Sequence, residues 1–206
     1  MQMNNRSFLD NLYKEYCSID SDINLHLPIL YEYASRCNHV TEMGARTGLS
    51  TVAFLKANPK NFVSYDYQYS DPEPHSVKEI ENLKNIFHNC QQLGQNCKYI
   101  GADVLRIEIE QTDLLFIDTW HCYEQIKKEL YLHAHKVNKY LIFHDTFTYG
   151  QVGEKLGDCD VFHPYLEMPT AGTGIRPAID EFLVQNSNWN IRYETDLNNG
   201  LLILSR

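Results

Sequence analysis

From about residue 40 onward, apolar residues fall into two alternating spacings. Short, nearly unbroken runs such as Phe62-Val63-Ser64-Tyr65, Leu114-Leu115-Phe116-Ile117 and Leu141-Ile142-Phe143 are followed by stretches where apolar positions recur every three or four residues. The runs have the length and composition of strands buried on both faces, and the stretches between them have the period of helices. This pattern predicts strands over 40–45, 61–66, 97–102, 113–118 and 139–144, with helices over 48–57, 75–93 and 123–137. Such alternation builds a mostly parallel sheet covered on both sides, a doubly wound α/β fold. The end of the chain changes character. A helix over 174–186 precedes strands over 188–195 and 201–205, joined by Leu197-Asn198-Asn199-Gly200. Asn-Gly between two strands predicts a hairpin, so an antiparallel pair completes a seven-stranded sheet.

Two further segments lie outside the alternation. Residues 7–37 read as helical pieces, one running from Ser7 as N-cap through Leu9, Leu12 and Tyr16, the next from Leu27 through Leu30 and Tyr33. Residues 1–38 are therefore expected to be an N-terminal helical extension, and residues 39–206 one domain. Residues 145–173 carry many glycines, prolines and aromatics and no helical or strand period. A connection of that length reads as a lid or binding loop or else as a disordered segment; the aromatics favour a lid, with Phe147, Tyr149, Phe162, His163 and Tyr165 as ligand-facing candidates.

Size and charge narrow the function. A chain of 206 residues with 43% hydrophobic content suits one substantial core. It has no apolar run long enough for a transmembrane helix and no secretory h-region after Met1, so neither membrane insertion nor secretion is expected. The formal net charge of -9, without a lysine or arginine cluster, disfavours sequence-independent binding to nucleic acid or anionic membrane. A small polar substrate fits better. The six cysteines form no CxxC pair, which suits reduced thiols in a cytoplasmic protein. Oligomeric state is left open, a homo-oligomer included.

The candidate chemistry sits at the strand ends. The first strand ends in Glu42-Met43-Gly44-Ala45-Arg46-Thr47-Gly48-Leu49-Ser50. Gly44 permits a tight turn close to a ligand, Gly48 permits close packing where the helix begins, and free N–H groups at that helix start can meet a negative group. The GxxxG spacing differs from the GxGxxG of dinucleotide sites and lacks the Lys-Ser or Lys-Thr of a P-loop, which counts against an NAD-linked or nucleotide-sugar enzyme. Acids end the other strands too: Asp66, Asp103, Asp118 and Asp145. In open parallel sheets ligands bind outside these carboxyl ends. Asp66, about 20 residues beyond the first glycine, stands where an acid can hold ribose hydroxyls. Asp103, after Gly101-Ala102, can meet an exocyclic amine of adenine. Asp118, Asp145 and His144 form an oxygen-rich group with an imidazole, suited to Mg²⁺, Ca²⁺ or Mn²⁺, with histidine shifting preference toward transition metals. His121 and His144 are the candidate proton acceptors. Trp120 either closes a wall of the cofactor site or fills core, and His133 and His135 read as packing or surface residues.

Together these segments resemble the class I S-adenosylmethionine-dependent methyltransferases, within them the small O-methyltransferase-like group that includes catechol and macrolide-sugar O-methyltransferases and cephalosporin-hydroxylase-like proteins. The resemblance rests on Glu42 to Ser50, on Phe116-Ile117-Asp118-Thr119-Trp120-His121, on Phe143-His144-Asp145-Thr146 and on Asn198-Asn199-Gly200-Leu201, and runs from about residue 22 to the end. It implies that Glu42, Gly44, Ala45, Arg46 and Ser50 line the methionine portion of the cofactor, that Asp66 holds the ribose with Tyr67 beside the adenine, and that Ala102 and Asp103 border the base. It also implies metal ligation by Asp118 and Asp145. His121 falls where catechol-type enzymes place a lysine base, and the third metal ligand of those enzymes has no clean match. The reaction implied is methyl transfer from sulfur to an oxygen of a small hydroxylated acceptor, a sugar among the candidates. The alternative is a module that binds the nucleoside without catalysis.

Overall fold

The computed structural model describes residues 6–67, 74–154 and 172–206. Its sheet is built from β1 (His39–Met43), β2 (Asn61–Asp66), β3 (Cys97–Gly101), β4 (Thr112–Ile117), β5 (Val137–His144), β6 (Asn190–Thr195) and β7 (Leu201–Ser205), in the order β3-β2-β1-β4-β5-β7-β6. The first five strands are parallel, and β7 runs antiparallel to both β5 and β6. The doubly wound sheet with a terminal hairpin is thus the observed fold.

Among the described residues six α-helices accompany the strands: α1 (Arg6–Ser18), α2 (Leu27–Ala34), α3 (Leu49–Ala57), α4 (Pro74–Gln92), α5 (Tyr123–His133) and α6 (Ile175–Gln185). Alternate residues of each strand face opposite sides of the sheet. Leu114, Phe116 and Ile142 pack with Val52 and Phe54 of α3 and Leu83 of α4, while Leu115, Ile117, Leu141 and Phe143 pack with Ile126 of α5 and Ile179 of α6. Strands buried on both faces are why the sequence shows unbroken apolar runs there. Leu9, Leu27 and Leu30 join the first of these clusters, so the N-terminal helices share the core of the sheet. No helix among the described residues is long and apolar enough to cross a membrane.

Several element boundaries shift by a residue or more, the strand expected over 40–45 ending at Met43, and two of the departures bear on packing. The helix expected over 123–137 ends at His133, is followed by one 3-10 turn at Ala134–Lys136, and gives way to strand at Val137. The apolar period continues through Ala134 and Val137 because both are buried, but Val137 is buried as the partner of Thr112 on β4. Pairing there needs a shift of register between Thr112 and Leu114. At the other end, Trp189 is buried ahead of the last hairpin, and β6 begins only at Asn190. Phe162, His163 and Tyr165 of the expected lid lie outside the described residues.

Candidate active site

Strand register brings the acidic ends together. Met43 pairs with Tyr65 and with Ile117, and Ile117 pairs with Phe143, so β1, β2, β4 and β5 end at one level. Gly44 N–H continues the ladder to Tyr65 O at 2.9 Å and Asp118 N–H to Met43 O at 2.9 Å. Above these ends lies a cavity of about 900 Å³. Its wall takes in Gly44, Ala45, Arg46 and Ser50 after β1, Asp66 and Tyr67 after β2, Ala102 and Asp103 after β3, Asp118, Trp120 and His121 after β4, and Asp145 after β5.

The loop after β1 is set by backbone geometry and one carboxylate. Gly44 has φ of +88°, and a Cβ there would stand 1.8 Å from the Asp118 carbonyl oxygen, so only glycine fits between β1 and β4. A Cβ on Gly48, also at φ +88°, would meet Leu83 Cδ1 at 2.7 Å. Asp66 Oδ2 accepts hydrogen bonds from Ala45 N–H and Arg46 N–H, each at 2.7 Å, pinning the loop over β2. Burial raises the Asp66 carboxyl above its ordinary value, and these backbone hydrogen bonds partly offset that.

Glu42 belongs to the same region but faces away from the cavity. It is fully buried and accepts hydrogen bonds from Ser50 Oγ and Thr51 Oγ1 at 2.7 Å and from Ser64 Oγ at 2.6 Å. Burial pushes its carboxyl up to about 7 despite the three hydroxyls. Glu42 therefore ties β1 to β2 and to the start of α3 from beneath, and the direct cofactor contact expected of it gives way to support of the loop that lines the cavity. Gly48 acts likewise, by packing rather than as wall.

The other end of the cavity is dense in charge. His121 Nε2 lies 2.8 Å from Asp145 Oδ2 and 3.2 Å from Asp118 Oδ1, and its Nδ1 lies 3.0 Å from Glu154 Oε2. His144 Nδ1 stands 3.4 Å from Asp118 Oδ1 and 3.3 Å from Asp145 Oδ2. Burial works against charge on the His121 and His144 rings, yet the adjacent carboxylates outweigh it and hold both well above the ordinary histidine range. Reciprocally, burial would raise Asp118 and Asp145, but the imidazolium partners pull both carboxyls below their usual range. Asp145 takes a left-handed backbone, φ +59°, which turns its carboxylate into the cluster.

The expected site residues separate into wall and support. Asp118, His121 and Asp145 converge closely enough to offer one ligand atom each within 4.8 Å. His144 does not reach the cavity wall. Its Nε2 is engaged with Asp22 O at 3.1 Å and Asn198 O at 3.2 Å, and its ring meets the buried His26 edge-on. It joins the hairpin turn to the N-terminal segment and sits behind Asp118 and Asp145. Asp103 lines the cavity while its Oδ1 caps the following 3-10 turn by accepting from Leu105 N–H at 2.9 Å. Trp120 lines the cavity with its indole N–H buried and unpartnered among the described residues. Of the expected lid, Tyr149 stacks on His121 with centroids 4.9 Å apart, and Phe147 is exposed. His133 is buried and bonded to Val104 O at 2.8 Å, a packing role. The five described cysteines are free thiols.

Sequence reasoning assigned no role to Glu154, Gln125, Ile19, Ser21, Asp22 or Ile23, all on the cavity wall. Glu154 lies in an irregular segment without period, and only its acidity marks it. The donor set nevertheless fits a divalent cation: two carboxylates and an imidazole meet, and Asp145 Oδ1 is buried without a partner among the described residues.

No family model and no curated protein matches the chain. Solved structures do. A methyltransferase from Podospora anserina, PaMTH1, bound to S-adenosylhomocysteine, aligns with TM-score 0.58 at 16% identity over 95% of this chain and 86% of that one. A putative caffeoyl-CoA O-methyltransferase from Staphylococcus aureus aligns with TM-score 0.60 at 14% identity, covering 98% and 99%. An O-methyltransferase from Bacillus cereus in complex with S-adenosylhomocysteine aligns with TM-score 0.60 at 11% identity, covering 100% and 91%. The chain has the Rossmann-like methyltransferase fold.

Proposed function

We propose that this chain is an S-adenosylmethionine-dependent O-methyltransferase acting on a small hydroxylated molecule, with a divalent cation held at Asp118 and Asp145. One observation carries the reading: a single cavity joins a glycine-shaped loop and nucleoside-facing acids at one end to a carboxylate–imidazole cluster at the other. Its volume of about 900 Å³ suits a cofactor together with part of an acceptor, small-molecule sites spanning roughly 300–1,000 Å³.

In this reading Asp66 and Tyr67 flank the ribose and adenine, Ala102 and Asp103 border the base, and the Gly44–Ser50 loop surrounds the amino-acid portion. When bound, S-adenosylmethionine supplies a methyl on an electron-poor sulfur, and a divalent cation supplies positive charge that favours the alkoxide form of an acceptor hydroxyl. The chain's own contribution is placement. Asp118 and Asp145 fix the reacting end from rigid strand termini, with His121 between them. Ile19 and Ile23 from the N-terminal segment and Tyr149 from the loop after β5 wall off water. Fixed groups of this kind account for most of the rate gain in such transfers. A sugar is one acceptor that fits a polar, oxygen-binding end.

Incubation with methyl-labelled S-adenosylmethionine and a panel of catechols, phenols and sugars tests the proposal. Label should pass to at least one acceptor in the wild type and not in Asp118→Asn. Equal transfer by the variant would remove Asp118 from the chemistry. Cofactor binding with no transfer to any acceptor would favour a module that only binds.

A further inference from the structure

His121 is clamped on three sides. Its Nδ1 lies 3.0 Å from Glu154 Oε2, its backbone N–H donates to the same oxygen at 3.3 Å, and Glu154 N–H donates to the His121 carbonyl at 2.9 Å. Tyr149 fixes the plane of the ring, 7° from parallel. An ionised carboxylate only accepts, so Nδ1 carries a hydrogen toward Glu154, while Nε2 faces Asp118 and Asp145 and carries a second hydrogen only until a cation displaces it. Nε2 is 2.8 Å from Asp145 Oδ2 and 3.2 Å from Asp118 Oδ1. Two ligands at right angles around an ion with bonds of about 2.1 Å stand about 3.0 Å apart. The imidazole nitrogen makes that separation with both carboxylates. Beside them Asp145 Oδ1 is buried and unpartnered among the described residues, in a residue only 4% exposed.

We infer that His121 is itself a metal ligand through Nε2, oriented by Glu154, and that the Asp118–His121–Asp145 group selects a transition-metal ion such as Mn²⁺ or Co²⁺ over Mg²⁺. The inference rests on the divalent cation proposed above and deepens that reading. Mg²⁺ favours oxygen ligands and retained water, whereas an imidazole nitrogen raises affinity along the first transition row. A histidine held this way has neither nitrogen free for the acceptor's proton, so His121 is not the base. Glu154 is a positioning residue: it touches no ion but sets the tautomer and direction of the ring, a role whose loss costs roughly 10–100-fold in metal affinity.

The test uses Mn²⁺ and Mg²⁺ with the full chain. Calorimetry should show Mn²⁺ binding at least about tenfold tighter than Mg²⁺, and pulsed paramagnetic resonance of bound Mn²⁺ should show nitrogen hyperfine coupling from one imidazole. Glu154→Gln should weaken Mn²⁺ by roughly 10–100-fold. The resonance signature is read on the wild type, so it stands even if a variant fails to fold. Bound Mn²⁺ without nitrogen coupling, or equal affinity for the two ions, overturns the inference while leaving a metal at Asp118 and Asp145. Failure to bind either ion overturns the inference and the metal together. S-adenosylhomocysteine titrated in the same samples reports separately whether the cofactor reading survives.

Discussion

Two buried carboxylates at the ends of strands on either side of β4 are handled in opposite ways. Glu42, at the end of β1, is enclosed by three neutral hydroxyls that satisfy both of its oxygens. Asp145, after β5, has one oxygen facing two imidazoles and the other with no partner among the described residues. The first arrangement holds a loop in place and needs nothing from outside the chain. The second leaves buried polar capacity unused, which is costly in a finished structure and serves best where a ligand completes it. The contrast sets a scaffolded end, supported from behind the cavity wall, against an end that the proposed function makes the reactive one.

The comparison can be broken most severely at the reactive end. Asp145→Asn should lower methyl transfer by about 10²–10³-fold, the scale seen when one preorganised electrostatic group is removed, and a labelled-methyl assay checks it. Unchanged transfer would make the cluster structural. At the scaffolded end, Gly44→Ala should reduce stability by several kcal/mol, roughly 2–4 on the scale for strained or overpacked positions, because its Cβ would overlap the Asp118 carbonyl. Urea unfolding measures that loss.

A pH profile separates the two ends further. Burial raises Glu42 from 4.5 to about 7, so the folded state binds its proton more tightly than the unfolded chain does. Its contribution to stability is therefore full below about pH 4.5, falls as pH rises through about 7, and stays reduced above that. Stability of Glu42→Gln relative to wild type should accordingly improve between pH 5 and pH 8, by an amount on the order of 2–3 kcal/mol. Urea unfolding at both pH values is the check, and a difference independent of pH would show that Glu42 does not titrate there. The smallest effect is expected from Asp22→Asn. Its pair with Arg46 at 3.1 Å is largely exposed, with 79% of the Arg46 side chain and 41% of the Asp22 side chain accessible. The melting temperature should move by no more than the equivalent of about 1 kcal/mol.

Much of the fold was legible because it rests on local signals. Nearly unbroken apolar runs marked β2, β4 and β5, and the Asn199-Gly200 pair, which adopts φ of +66° and +101°, marked the hairpin. The strand-end rule placed Asp66, Asp103, Asp118 and Asp145 on one crevice without any long-range information. What escaped depends on contacts distant in the chain. Nothing near Glu42 in sequence announces that Ser64 will stand opposite it on β2, so an acid beside a glycine turn reads as ligand-facing. His144 reads as a ligand for the same reason, until Asp22 and Asn198 claim its outer nitrogen. Glu154 meets His121 across a loop with no period, and only the folded chain brings them together.

Calorimetric titration of the wild-type chain with S-adenosylmethionine and S-adenosylhomocysteine tests the central claim, a sulfur-nucleoside site over the carboxyl ends of β1, β2 and β4, most directly. The account predicts that both bind with one site per chain and that Asp66→Ala weakens both, since it removes the acid that pins the Ala45–Arg46 loop and that the proposed function sets against the ribose. Heat of dilution alone for both nucleosides, from a folded sample, would contradict it.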